Sequence, residues 1–160
     1  MVDETAIATV ALLSVTASLP LFLRGAAIVI DAETVTWEVL LRHLRYVGSG
    51  LVLTTVPVAF WMAPRLLEQL GGLSALHAVF GLQAYALLVF ALTGIVRIFQ
   101  VKRRADLYRN PDPSQSIDEL HENVPDWRRR LRIGVFGYLL FWIAAYVLGV
   151  VRYVLLYVSL

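Results

Sequence analysis

The sequence predicts an all-α integral membrane protein, a four-helix bundle whose neighbours run up and down in antiparallel order within a single domain. Three observations predict it. First, Thr5–Leu23, Tyr46–Pro64, Leu70–Val96 and Ile133–Val151 contain no Asp, Glu, Lys or Arg. At about 1.5 Å rise per residue, each is long enough to cross about 30 Å of hydrocarbon. Second, 59% of the 160 residues are hydrophobic and 16% are charged, whereas a soluble domain has roughly 45–50% and about 25%. Third, alternation with period two is missing. Backbone polar groups in lipid must bond within their own segment, so the four spans are helices rather than barrel strands.

The first span extends to about residues 5–30. A secretory signal peptide would open on basic residues, but this chain opens Met1-Val2-Asp3-Glu4, so the segment is expected to stay as a membrane helix. Pro20 removes one backbone donor and is expected to kink it near its end. The second span covers about 36–64, with Glu38 and Arg42 placed for an exposed i,i+4 ion pair. The third covers about 72–99. Its polar residues Gln83, Tyr85 and Thr93 do not share one helix face and form no proton path by themselves. Arg97 ends it where a long stem can reach headgroups. The fourth covers about 127–158. Gly48, Gly50, Gly94, Gly134, Gly137 and Gly149 suit close helix packing.

Basic residues set the orientation. Arg24, Arg42, Arg45, Arg97, Lys102, Arg103, Arg104, Arg109, Arg128, Arg129, Arg130 and Arg132 fall on one side of the four spans, and Arg65 and Arg152 on the other, a split of twelve to two. Residues 24–45 and 97–132 are therefore expected in the cytoplasm and both termini outside the cell membrane. Trp37 and Trp127 then mark the inner interface, and Trp61, Tyr153 and Tyr157 the outer one. A pI of 9.2 does not point to nucleic acid, because the basic runs flank spans and lack stacking aromatics on a groove. Their expected partners are anionic lipid headgroups.

The loop of about 100–126 is the one sizeable water-exposed segment. Its middle is acidic, with Asp112, Asp118, Glu119, Glu122 and Asp126. Prolines keep Asn110-Pro111-Asp112-Pro113-Ser114 out of regular helix. Ser116-Ile117-Asp118-Glu119 reads as a capping box opening about two helical turns that Pro125 ends, with Asp126 capping the fourth span. The loop is either a solvated connector or a docking surface. For docking, Asp118, Glu119, His121 and Glu122 are the candidate contacts.

The absence of cysteine removes disulfide frameworks, thiolate metal sites and thiol catalysis. No carboxylate lies within a charge-free span, which argues against a proton- or cation-coupled pump. No P-loop, catalytic triad, HExxH or GxGxxG occurs, so no catalytic machinery is visible. Ionisable groups in spans are the functional candidates. His77 lies about one turn inside the third span. His43 lies at the opposite boundary, roughly 30 Å away in depth, so the two cannot share one iron. Met62 ends the second span level with His77, and Gly81 lies one turn below His77 on the same face. A His–Met pair at this depth could hold haem b or copper, with Gly81 admitting a flat macrocycle or a second backbone. Alternatively, His77 hydrogen-bonds a neighbouring helix and Met62 fills a gap.

Two stretches carry a resemblance. Leu41-Arg42-His43-Leu44-Arg45-Tyr46-Val47-Gly48-Ser49-Gly50 and His77-Ala78-Val79-Phe80-Gly81 resemble the HxxxG-type helix starts of cytochrome b561-like and copper-resistance-D-like membrane proteins. Small proteins of that kind often open the last helix on a histidine too, whereas Arg128-Arg129-Arg130-Leu131-Arg132-Ile133-Gly134 has none. The whole chain also resembles small four-span membrane proteins of haloarchaea, some encoded among respiratory-chain components. The expected function is a non-catalytic membrane protein, an accessory subunit of a respiratory or redox complex in contact with other membrane subunits. The alternative is a small membrane cytochrome or copper protein using His77, and a transporter comes third.

Overall fold

The computed structural model describes residues 3–65, 71–112 and 115–158. Four helices long and apolar enough to cross a membrane make this a multi-pass membrane protein, all-α among the described residues. Helix α1 spans Glu4–Ile30 and α2 Trp37–Pro57. The second helix continues through a π-helical turn, Val58–Met62, and a 3-10 turn, Ala63–Arg65. Helix α3 spans Gly72–Arg104, and α4 spans Val124–Tyr153 with a π-helical turn at Val154–Val158.

Local chemistry sets the ends. The Asp3 carboxylate accepts from Thr5 N at 3.2 Å, and the Thr36 hydroxyl accepts from Val39 N at 3.4 Å, each satisfying an amide that has no partner within its helix. The turn of π-helix in the second span follows Pro57, which cannot donate to Leu53. The freed Leu53 carbonyl instead accepts from the Ser14 hydroxyl of α1 at 2.7 Å. Pro20 lies inside α1, which runs on for ten more residues to Ile30.

Three sequence expectations for the loop need correction. Ser116 caps only a single 3-10 turn, Ile117–Glu119, and accepts from Asp118 N at 3.3 Å, so the expected two-turn helix does not form. Pro125 does not end that helix. It sits in the first turn of α4, where a proline has no donor to lose. The fourth helix therefore starts at Val124, with Asn123 rather than Asp126 at its cap position.

The bundle consists of two closely packed hairpins, α1 with α2 and α3 with α4. In the first, the buried Thr54 hydroxyl lies 3.0 Å from the buried Ser18 hydroxyl, and His43 Nδ1 donates to the Gly25 carbonyl at 2.8 Å. The Glu38–Arg42 ion pair forms as expected, at 2.8 Å. In the second, Gly134 lets α4 lie against the Ala91 backbone. A Cβ on Gly134 would stand 2.6 Å from Ala91 N. Phe80 meets Phe141 edge-on at 5.7 Å.

The hairpins meet differently at their two ends. Towards the loop, Trp37, Phe99 and Tyr108 cluster with centroids 5.5–6.1 Å apart. There Trp37 N donates to the Tyr108 carbonyl at 2.9 Å. Burial in this cluster pushes the Tyr108 phenol above its ordinary value. At mid-depth the Phe22 ring stands edge-on to Tyr138 and Trp142 at 6.4 and 5.8 Å. Towards the termini, hydroxyl pairs replace aromatic packing: Thr9 with Tyr153 at 2.7 Å, Thr16 with Tyr146 at 3.1 Å and Thr55 with Tyr85 at 3.0 Å. In all three the Thr belongs to the first hairpin and the Tyr to the second.

Candidate functional site

Between the hairpins, in the half of the bundle nearer the termini, lies a cavity of about 240 Å³ bounded by all four helices. Missing side chains create it. Ala8 and Ala11 of α1, Gly81 and Ala84 of α3, and Ala145 and Gly149 of α4 all line it. Trp142 and Tyr146, stacked parallel with centroids 5.6 Å apart, supply an aromatic wall. Tyr138 packs with Ala84 and Trp142 of that lining, and its buried hydroxyl has no hydrogen-bond partner among the described residues.

The mouth is polar. Arg65 Nε lies 3.6 Å from Glu4 Oε1, and the Arg65 guanidinium stacks 3.4 Å above the Trp61 ring, so α1 and the end of the second span are tied there. Across from them, Arg152 donates to His77 Nδ1 at 3.3 Å, which ties α4 to α3. The His77 ring rests against Gly149, where a Cβ would stand 3.3 Å from Cε1.

The structure brings His77, Met62 and Gly81 to this one cavity. Gly81 faces open space. A Cβ built there meets nothing within 4 Å, so neither a second backbone nor a packed side chain accounts for that glycine. The donor set does not fit haem b. Arg carries donors only, so the Arg152 bond requires a lone pair on His77 Nδ1 and puts the neutral ring's proton on Nε2. An axial histidine needs the reverse, with Nε2 bare and Nδ1–H held by an acceptor. The cavity is also smaller than the roughly 300–1,000 Å³ typical of drug-sized ligands. No group of three or more His, Asp or Glu among the described residues is arranged to hold a metal ion. His43, bonded to Gly25, belongs to the loop half of the bundle.

The four loop candidates remain exposed but are not equivalent. Asp118 Oδ1 pairs with Arg128 at 3.0 Å. The His121 ring packs on Trp127 at 4.7 Å, and its Nδ1 accepts from Asn123 N at 3.1 Å. Glu119 and Glu122 present their carboxylates to solvent.

Sequence reasoning missed the roles of Arg152 and the three tyrosines. A signal for the last was present. Thr9 and Thr16 in the first span, and Tyr146 and Tyr153 in the last, are each seven residues apart. Matched heptad spacing puts hydroxyls on one face of each of two antiparallel helices. The Arg152–His77 contact had no comparable signal, because it is a single pair with no repeat along either helix.

One family model, described as a domain of unknown function, matches residues 4–158. No curated protein and no solved structure matches the chain.

Proposed function

This chain belongs to the family described as Domain of unknown function (DUF7321), and from that premise we propose that it is a non-catalytic membrane protein that holds a small amphiphile between its two hairpins. The observation that carries this reading is the cavity itself, with apolar walls from four helices and a polar mouth formed by Glu4, Arg65, His77 and Arg152. Sites for small molecules combine those features. The reading makes the protein an accessory subunit of a respiratory or redox membrane complex, and the exposed carboxylates of the loop offer other subunits a docking surface. It takes residues 24–45 and 97–132 as cytoplasmic and both termini as outside the cell membrane. The twelve-to-two distribution of basic residues supports that orientation.

The test compares solvent extracts of the purified protein with extracts of Gly81→Leu, whose added side chain enters the cavity from a position with free space around it. A lipophile released in stoichiometric amount from the unaltered chain and lost from the variant is expected. Equal release from both, at the level of the surrounding detergent and lipid, would refute the reading.

A further inference from the structure

Resting on that reading, we infer that the cavity selects an uncharged amphiphile with a carbonyl oxygen, and that His77 Nε2–H at the mouth donates to that oxygen. The inference follows from how the hydrogens around the cavity are distributed. Thr9 has one hydroxyl proton and gives it to the Thr5 carbonyl at 2.7 Å, so Tyr153 must be the donor in its bond to Thr9. Thr16 gives its proton to the Leu12 carbonyl at 2.8 Å, so Tyr146 is likewise the donor to Thr16. Both phenols thus spend their protons on α1 and offer a guest no donor. At the mouth the situation is reversed. Arg152 fixes a lone pair on His77 Nδ1, so the neutral ring carries its proton on Nε2. That N–H has no partner among the described residues, and the ring lines the cavity.

A guest whose polar end lies at His77 therefore gains a hydrogen bond by bringing an acceptor, and the alanine and aromatic walls favour a guest that is otherwise apolar. Charge narrows the class further. Arg65 is already paired with Glu4 and stacked on Trp61, and Arg152 is engaged by His77 and by a further interaction. An anion would also face the Glu4 carboxylate and would lose its hydration on entering an apolar space. A carbonyl oxygen carries no net charge to be repelled by Glu4 and loses far less hydration than an ion. The volume of about 240 Å³ suits a single chain or a single ring rather than a macrocycle.

The experiment titrates the full-length protein in detergent, stripped of bound lipid, with three probes of one chain length: 2-undecanone, undecane and undecanoate. The thermal midpoint reports each dissociation constant, since a ligand bound only by the folded state stabilises it by mass action. The ketone is expected to bind about fivefold tighter than the alkane, the factor that one net hydrogen bond supplies. Undecanoate is expected to bind more weakly than the ketone. In His77→Phe, which keeps a ring against Gly149, the ketone should lose its advantage over the alkane. Should that variant not fold, the ring resonances of 15N-histidine protein replace it, and His77 Nε2–H should shift with the ketone and not with the alkane. Equal affinity for ketone and alkane would overturn the ligand class and leave the cavity reading standing. Tightest binding of undecanoate would overturn the uncharged class in favour of an anion site. No saturable stabilisation by any probe would overturn the cavity reading as well.

Discussion

Tyr153 donates its hydroxyl proton to Thr9 Oγ1 across 2.7 Å, and Tyr146 repeats the bond to Thr16 at 3.1 Å, seven residues away along both helices. These bonds span the boundary between two hairpins whose helices pack more extensively within each pair than between pairs. The half of the bundle that holds the cavity is therefore joined by hydroxyls. The opposite end is joined by the Trp37, Phe99 and Tyr108 rings.

Removing the hydroxyls should loosen one end of the molecule. Hydrogen bonds between membrane helices average about 0.6 kcal/mol, with a maximum of about 1.7 kcal/mol. Thr9→Val with Thr16→Val should therefore lower stability in micelles by roughly 1–3 kcal/mol. Spin labels at the exposed positions Val10 and Leu155 should move apart, while labels at Leu23 and Phe136 should hold their separation. Unchanged distances with unchanged stability would show that the hydroxyl pairs do not hold the hairpins.

Two glycines should respond in opposite ways to the same substitution. Gly134→Ala pushes a methyl into the Ala91 backbone, which cannot yield as a side chain can. Overpacking of this kind costs about 1–3 kcal/mol. Gly81→Ala meets nothing within 4 Å and should leave stability unchanged or slightly raised. Unfolding in mixed micelles measures both, and similar effects at the two sites would contradict the packing described for α3 and α4.

The sequence made the bundle legible because membrane crossing depends on length and charge, and both can be counted along a chain. Arg65 stands at the end of the described part of the second span, whereas the fourth helix runs on past Arg152 to Val158. The cap at Ser116 was legible too, but not the length of what it caps, since Pro125 reads equally as a terminator and as a first-turn residue. His77, Met62 and Gly81 were legible as a group because depth alone aligns them. What lay beyond reach was the chemistry of that group. The tautomer of His77 is set by Arg152, which comes from another helix at the far end of the chain.

Orientation can be tested cleanly because the chain has no cysteine of its own. Gln115→Cys, at an exposed loop position, should resist a membrane-impermeant maleimide in intact cells and react once the cells are opened. Labelling in intact cells would invert the proposed orientation.

The loop should meet its partners through Glu119 and Glu122, because Asp118 already faces Arg128. Glu119→Gln with Glu122→Gln should reduce recovery of co-purifying subunits, most of all at low salt, since exposed charges are screened beyond about 8 Å at physiological ionic strength. Asp118→Asn should change stability by no more than about 1 kcal/mol, the usual range for an exposed pair. Recovery that is indifferent to both the double variant and the salt concentration would make the loop a connector.

The cavity claim is tested most directly by fluorescence from Trp142 alone. Trp37→Phe, Trp61→Phe and Trp127→Phe leave that one indole, on the cavity wall. The probe is 2-undecanone brominated at the chain end away from its carbonyl, so that the bromine reaches Trp142 when the carbonyl sits at His77. Saturable quenching that disappears when Gly81→Leu is added is the predicted result. Quenching that rises linearly with probe and is the same with and without Gly81→Leu would mean that no guest enters between the hairpins.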